Sequence, residues 1–212
     1  MKLYGYFRSS AAYRVRIALN LKGLAADQTF IHLRRGEQQQ GAYRRINPDG
    51  LLPTLEYEGS FHSESLAIIE YLDEIKPQPP LLPASAADRA HVRAIALSIA
   101  CDIHPLNNLR VLKYLKSDLG HDQAAVDAWY AHWIAVGLAG LEERVARDAR
   151  TGTYCLGEAP GLAEVCLVPQ IHNAERMKCD LAPYPVLRRI AAAARALPAF
   201  EAAAPERQPD AE

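Results

Sequence analysis

No run of this sequence is both long and apolar enough to span a bilayer, so a membrane helix is not expected. Neither sign of charge dominates: 24 Lys and Arg stand against 25 Asp and Glu, with no basic stripe or acidic block. Nucleic acid is therefore not an expected partner, and a charged disordered tail is not expected either. The four cysteines (Cys101, Cys155, Cys166, Cys179) form no C-x-x-C pair and lack the density of a disulfide scaffold. A reducing, cytoplasmic compartment is the simplest expectation. The seven histidines are scattered, none paired with a cysteine at finger spacing, and no metal is expected. A charged-then-apolar leader and internal repeats are also missing. What is present is an ordinary globular composition, 50% hydrophobic over 212 residues, enough for one large domain or two small ones.

The stretch that organises the chain is Tyr6-Phe7-Arg8-Ser9-Ser10-Ala11-Ala12-Tyr13-Arg14-Val15-Arg16-Ile17-Ala18-Leu19. Lys2 to Phe7 is short, aromatic and apolar and reads as a strand. Val15, Ala18, Leu19 and Lys22 recur at helical spacing, with Gly23 as the stop. Ser9 and Ser10 thus fall where a helix begins, a place with spare backbone N–H donors and the positive end of a helix dipole. Such a junction can hold an anion or favour ionisation of a thiol bound nearby. A plain helix cap is the competing reading of the same serines.

Asp27 to Leu33 reads as a second strand, and Ile46-Asn47-Pro48-Asp49-Gly50 as a turn after a polar segment and a short helical piece. Pro53 to Tyr57 and Ser60 to His62 flank Glu58-Gly59 as a hairpin, and a helix follows from about Ser63. The order β-α-β-α-β-β-α predicts a small α/β unit with a mixed sheet. Four prolines between Lys76 and Pro83 mark a boundary. Beyond it only helices are expected: 86–116 with a kink or a break at His104-Pro105, 122–150, 161 to about 178 with Pro169 inside, and 185–197. The segment after Pro205 is polar and expected to pack poorly.

This layout resembles the cytosolic glutathione S-transferases, and the match to their zeta class runs over almost the whole chain. The zeta signature stands here as Ser9 to Leu19, with Ala11 where the pattern has cysteine. Ile46-Asn47-Pro48, Leu52-Pro53-Thr54-Leu55 and Ser65 to Leu72 resemble glutathione-site elements. Cys166-Leu167-Val168-Pro169-Gln170, Asn173 to Arg176, Pro183-Tyr184-Pro185 and Arg207-Gln208-Pro209-Asp210 resemble zeta elements of the second domain. The resemblance implies an α/β plus all-α glutathione transferase fold. Its parts would be a thioredoxin-like glutathione-binding domain over 1–76 with a mixed four-stranded sheet, a proline-rich linker over 77–87, and an all-helical bundle over 88–212.

Zeta-class members include glutathione-dependent isomerases of maleylacetoacetate and of maleylpyruvate, which implies a cis–trans isomerase of aromatic catabolism working as a homodimer. Ser9 and Ser10 would be catalytic, favouring the thiolate of glutathione, whose unperturbed thiol pKa is about 8.5 like that of cysteine. Gln38, Leu52, Pro53 (as a cis proline), Glu64, Ser65, His104 and Asn108 would join the serines in binding glutathione. Glu64 stands where relatives often carry glutamine. His104 and Asn108 are four apart and would share a helix face. The substrates are dianions, so Arg8, Arg176 and Arg110 would hold the carboxylates, for which a guanidinium fork is suited. Arg110 lies about 200° from Asn108 on an ideal helix and needs a bend to join it. Ala11 removes the nucleophile for thiol–disulfide exchange. Gly161-Leu162-Ala163-Glu164 lacks the side-chain oxygen of the usual cap. Two rivals stand beside the isomerase: a glutathione-binding scaffold without catalysis, and a general transferase or peroxidase, whose second pocket should be apolar. Maleylpyruvate is favoured over maleylacetoacetate because Arg110 adds a charge suited to the shorter keto-acid arm.

Overall fold

The computed structural model describes residues 1–212, which divide into two units, one of residues 1–82 with 195–212 and one of residues 83–194. The first unit is built on four strands, β1 (Lys2–Gly5), β2 (Asp27–Phe30), β3 (Thr54–Tyr57) and β4 (Ser60–Ser63), in the order β2-β1-β3-β4. β1 pairs parallel with β2 through a helical crossover, whereas β3 runs antiparallel to both β1 and β4. The mixed sheet matches the reading of the sequence.

Helix α1 (Ser10–Lys22) follows β1 and the short α2 (Gly41–Arg44) precedes β3; α1 is closed at both ends by local chemistry. Ser9 Oγ accepts from the Ala12 N–H at 3.2 Å. At the other end Gly23, at φ 58°, lets its own N–H reach Asn20 and the Leu24 N–H reach the Leu19 carbonyl. Nearly every side chain of α1 is buried, because it packs against α3 (Ser65–Ile75) and against α9 (Pro198–Ala203). Its apolar positions join Leu3, Leu55, Ile68, Leu72 and Phe200 in the core. Its cations are buried too. Arg14 Nη1 donates to Ser65 Oγ at 3.3 Å, and Lys22 Nζ meets Asp73 and the Pro79 carbonyl.

The second unit is helical: α4 (Ala86–Leu97), α5 (Leu109–Lys113), α6 (Gln123–Arg147), α7 (Leu162–Arg176) and α8 (Pro185–Arg195, whose last residue groups with the first unit). α4 does not run on to Lys116: the break expected at His104-Pro105 is present, and the regular helix already ends at Leu97. It passes into a π-helical turn at Ser98–Ile103, a 3₁₀ turn at Pro105–Asn107, then α5. Pro105 has no N–H to continue an α-helical ladder. Gly137 of α6 permits a close approach here, since a β-carbon there would lie 2.2 Å from Ile103 Cγ1. α7 begins without a side-chain cap at Gly161. Glu164 carries that end alone, its carboxylate accepting from Gly161 N–H and Cys155 N–H at 2.8 Å each. Burial raises the Glu164 carboxyl above its ordinary value, against these hydrogen bonds.

One boundary and the packing of the last segment differ from the sequence reading. The helical unit ends at Ala194, and residues 195–212 group with the α/β unit instead of with a domain over 88–212. The segment after Pro205 is packed as well. Pro205 and Gln208 are buried, and the Gln208 amide donates to the Ala202 and Ala204 carbonyls at 3.0 and 2.9 Å. No helix is long and apolar enough to cross a membrane.

Candidate functional site

The strand directions bring the sequence-predicted residues of the first unit to one end of the sheet. Tyr4 pairs with Thr54, and Thr54 with Ser63, so the chain leaves β1, enters β3 and leaves β4 at the same end. Parallel β2 finishes there as well. Arg8, Ser9 and Ser10 follow β1, Gln38 follows β2, Leu52 and Pro53 precede β3, and Glu64 and Ser65 follow β4. Two helices of more than two turns, α1 and α3, open there, and the first turn of a helix has backbone N–H groups without intrahelical partners.

Ser9 is half-buried and Ser10 is buried as the first residue of α1. Capping and donation by Ser9 are compatible, because Oγ uses a lone pair on Ala12 N–H and keeps its hydrogen for another acceptor. Arg8 is exposed, its guanidinium 4.9 Å from the Phe7 ring centroid, which steadies the flat face and leaves the N–H edge available. The Leu52–Pro53 peptide is cis, and the β3 ladder begins only at Thr54, so the peptide groups of Leu52 lie outside it. Gln38 sits in a 3₁₀ turn (Glu37–Gln39), with its side-chain oxygen buried and without a hydrogen-bond partner. That turn packs on Gly50, where φ is +61° and a β-carbon would lie 2.9 Å from the Gln38 carbonyl oxygen.

Glu64 caps α3 at φ 66°, ψ 116°, a conformation rare for a residue with a β-carbon, and its carboxylate makes no cap bond. The sequence carried no sign of this backbone geometry. Other contributors missed from sequence are Tyr43 and Arg16. Tyr43 donates to the Leu51 carbonyl at 2.6 Å, one residue before Leu52. Arg16 Nη2 and Nη1 reach the Phe7 and Tyr6 carbonyls at 3.1 and 3.5 Å. Burial pulls Arg16 down to about 10, with the charge of Asp210 opposing, so it stays cationic at neutral pH.

In the second unit His104 and Asn108 do not share a helix face as expected. The helix breaks between them, and Asn108, extended at φ −66° and ψ 146°, caps α5 by accepting from Arg110 N–H at 3.1 Å. The bend that Arg110 required is therefore present, and its side chain is exposed. Arg176, exposed, ends α7. Burial pushes the Tyr130 hydroxyl up to about 12, an effect that the Arg176 charge and its hydrogen bond oppose. His104 is half-buried at the end of the π-helical turn.

A thioredoxin-like α/β unit followed by a helical unit defines a glutathione transferase fold, and comparison with known proteins agrees. The family described as "Glutathione S-transferase, N-terminal domain" matches residues 3–80. The chain is 54% identical, over 99% of its length and 97% of the relative's, to a probable maleylacetoacetate isomerase of Vibrio cholerae. Its structure superposes with a TM-score of 0.98 and 45% identity, over 100% of both chains, on a holo maleyl pyruvate isomerase, a bacterial zeta-class transferase. It superposes equally well (TM-score 0.98, 38% identity, 100% of both chains) on maleylacetoacetate isomerase of Methylobacterium extorquens AM1, solved with malonate and glutathione bound. The chain belongs to the zeta class of the glutathione S-transferase family, among the maleylacetoacetate and maleylpyruvate isomerases.

Proposed function

We propose that this protein is a glutathione-dependent cis–trans isomerase of maleyl keto acids in aromatic catabolism, with maleylpyruvate preferred. The observation that carries the reading is the convergence of Ser9, Gln38, Leu52 and Ser65 at the end of the sheet where α1 and α3 open. Glutathione fits these residues. The start of α3 at Ser65 suits the γ-glutamyl carboxylate, and the free carboxylate of Glu64 suits the neighbouring ammonium group. Leu52, beside Pro53, offers backbone groups outside the ladder to the cysteinyl part, and the orphaned oxygen of Gln38 needs a donor from the glycine end. His104 and Asn108 would complete the binding set.

When bound, glutathione supplies a thiolate that adds to the cis double bond, allows rotation about it, and departs to leave the trans product. Ser9 donates its remaining hydrogen to the sulfur, with Ser10 in support, and the start of α1 adds its dipole, so that the anion is favoured near neutral pH. Arg8, Arg176 and Arg110 pair with the substrate carboxylates through their N–H edges. With no cysteine in residues 1–100, this end of the sheet has no thiol of its own for redox exchange. We also propose a symmetric homodimer in a reducing, cytoplasmic compartment. A monomer by sedimentation at micromolar concentration would remove the first part.

Maleylpyruvate is preferred because Arg110, at the start of α5, adds a cation suited to the nearer carboxylate. The second reading, maleylacetoacetate, is favoured by the 54% identity to a relative named for that substrate. Assays on both substrates with and without glutathione decide. Isomerisation should require glutathione at constant concentration through many turnovers. Arg176→Ala should lower kcat/KM at least about tenfold with glutathione affinity unchanged, as the loss of a charge-assisted contact implies. Arg110→Ala should lower kcat/KM more for maleylpyruvate than for maleylacetoacetate. Stoichiometric thiol consumption would instead mean a transferase, and glutathione binding without turnover a scaffold.

A further inference from the structure

The turn that carries Arg8 and Ser9 begins where β1 has ended, and its backbone is held from far along the chain. The Gly5 carbonyl still belongs to the sheet edge, accepting from Ile31 N–H at 2.8 Å. Beyond it, the peptide groups of Tyr6 and Phe7 have no strand partner. The Phe7 N–H donates to Asp210 Oδ2 at 2.9 Å, and the Phe7 carbonyl accepts from Arg16 Nη2 at 3.1 Å. The Tyr6 carbonyl accepts both from Arg16 Nη1, at 3.5 Å, and from the Ser9 N–H, at 3.0 Å. Arg16 Nε in turn donates to the Ala203 carbonyl at 3.0 Å, tying the guanidinium to the end of α9. Asp210 is set in place by its own neighbours. Phe200 and Gln208 are buried, and Gln208 clamps the Ala202 and Ala204 carbonyls.

We propose that Asp210 and Arg16 are positioning residues that hold the Tyr6–Ser9 turn, and through it the Ser9 hydroxyl, in register for the thiolate. One hydrogen bond, Ser9 N–H to the Tyr6 carbonyl, separates this brace from the reacting group. A serine displaced by a fraction of an ångström loses the aligned donation on which it depends, because hydrogen bonds weaken steeply with angle. The brace also explains why a cation is buried on α1, a helix that has no need of charge for packing: three carbonyls converge on one planar fork. The inference rests on the function proposed above for its consequence in catalysis, but not for the conformational effect itself.

The test compares the wild-type chain with Asp210→Ala and Asp210→Asn. The asparagine keeps an oxygen acceptor for the Phe7 N–H, whereas the alanine keeps none. Four quantities are read on each: melting temperature, amide hydrogen exchange at Ser9 and Ala12, the pKa of the thiol of bound glutathione by ultraviolet titration, and kcat with KM for maleylpyruvate and maleylacetoacetate. Asp210→Ala should speed exchange at Ser9 and Ala12 by about tenfold or more, as loss of a hydrogen bond to a charged group implies. It should also raise the bound thiol pKa and lower kcat more than it raises KM, and Asp210→Asn should restore most of each. A variant that melts early while exchange at the turn and thiol pKa stay at wild-type values overturns the proposal. Equal impairment of both variants overturns it too, since the acceptor would then not be what matters. Wild type that fails to acidify bound glutathione would defeat the proposed function, and the exchange data would still judge the brace.

Discussion

Tyr43 and Thr54 hold each other's hydroxyl oxygens 2.8 Å apart in a buried network with no unused hydrogen. Tyr43 donates to the Leu51 carbonyl, so Thr54 must donate to Tyr43. The Asn47 amide then spends its two hydrogens on the Leu51 carbonyl, at 3.0 Å, and Thr54 Oγ1, at 3.2 Å. Asn47 Oδ1 accepts from Asp49 N–H at 3.1 Å, which closes the turn before Leu52. A closed network of this kind fixes a backbone segment more firmly than its separate bonds suggest.

Tyr43→Phe therefore leaves the Thr54 hydroxyl without its acceptor and the Leu51 carbonyl with one donor fewer. The expected cost is about 1–2 kcal/mol in stability by chemical denaturation. KM for glutathione should rise several-fold with kcat little changed, because the segment that offers Leu52 loosens while Ser9 is untouched. Asn47→Ala removes three bonds and should exceed Tyr43→Phe in both respects. A Tyr43→Phe protein with unchanged KM would show that the Leu52 segment is held without the network.

Lys22 is wholly buried at its side chain and reaches Asp73, which also accepts from the Leu81 N–H at 2.8 Å. Lys22→Met strands a carboxylate, and breaking a buried pair from one side costs about 3–5 kcal/mol. Adding Asp73→Asn should recover much of the loss, because the amide oxygen still serves Leu81 and no charge is stranded. Adding Asp73→Leu should recover less, since Leu81 N–H then loses its acceptor. Denaturation midpoints of the three variants check the order. Equal recovery by Asn and Leu would mean that the bond to Leu81 contributes nothing.

In the second unit the Asp148 carboxylate is held by Arg150 through its backbone N–H, Nε and Nη2 at 2.9, 2.9 and 2.5 Å, and lies 3.4 Å from His91 Nε2. The Arg150 side-chain bonds are the main cause that holds the Asp148 carboxyl well below its ordinary value. A group whose folded pKa is depressed contributes stability above its unfolded pKa, about 3.9 for aspartate, and loses it as pH falls toward the folded value. Asp148→Asn should therefore lower the melting temperature at neutral pH, and the gap to wild type should narrow steadily below about pH 4. A gap independent of pH would assign the effect to packing.

The strands, the turn at Ile46–Gly50 and the serines at the start of α1 were legible because each depends on local spacing: alternation, turn residues, a cap before an apolar repeat. The end-on convergence of Ser9, Gln38, Leu52 and Ser65 also follows from element order, once the crossover and the hairpin fix the strand directions. Residues 195–212 were not legible as part of the α/β unit. Their attachment runs through Asp210 to a backbone N–H and through Ala203 to a guanidinium, contacts that leave no periodicity. Asn108 misled in a different way. Four-residue spacing from His104 implies a shared face only if the helix is continuous, and Pro105 starts a 3₁₀ turn between them. The positive φ of Glu64 had no residue-type signal, since glycine or asparagine is what such a backbone normally announces.

Ser9 has two separable duties, and substitution by glycine rather than alanine separates them. Its Oγ accepts from Ala12 N–H at 3.2 Å, which makes it the cap of α1, and its hydrogen remains for the proposed thiolate. Replacing a serine cap by alanine costs about 1 kcal/mol, whereas glycine costs only a few tenths. Ser9→Ala should accordingly lose both stability and thiol acidity. Ser9→Gly should melt close to wild type yet raise the pKa of the bound glutathione thiol, because it lacks the donor in equal measure. Ser10→Ala serves as the comparison: Ser10 is buried as the first residue of the helix, whereas Ser9 is half-buried at the cap, so the effect of Ser10 on thiol pKa should be the smaller. Melting temperature, ultraviolet titration of the bound thiol and kcat are to be read on all three variants. A bound thiol that stays at its wild-type pKa in Ser9→Gly would leave the backbone N–H groups and the dipole of α1 as sufficient, and Ser9 as a cap alone.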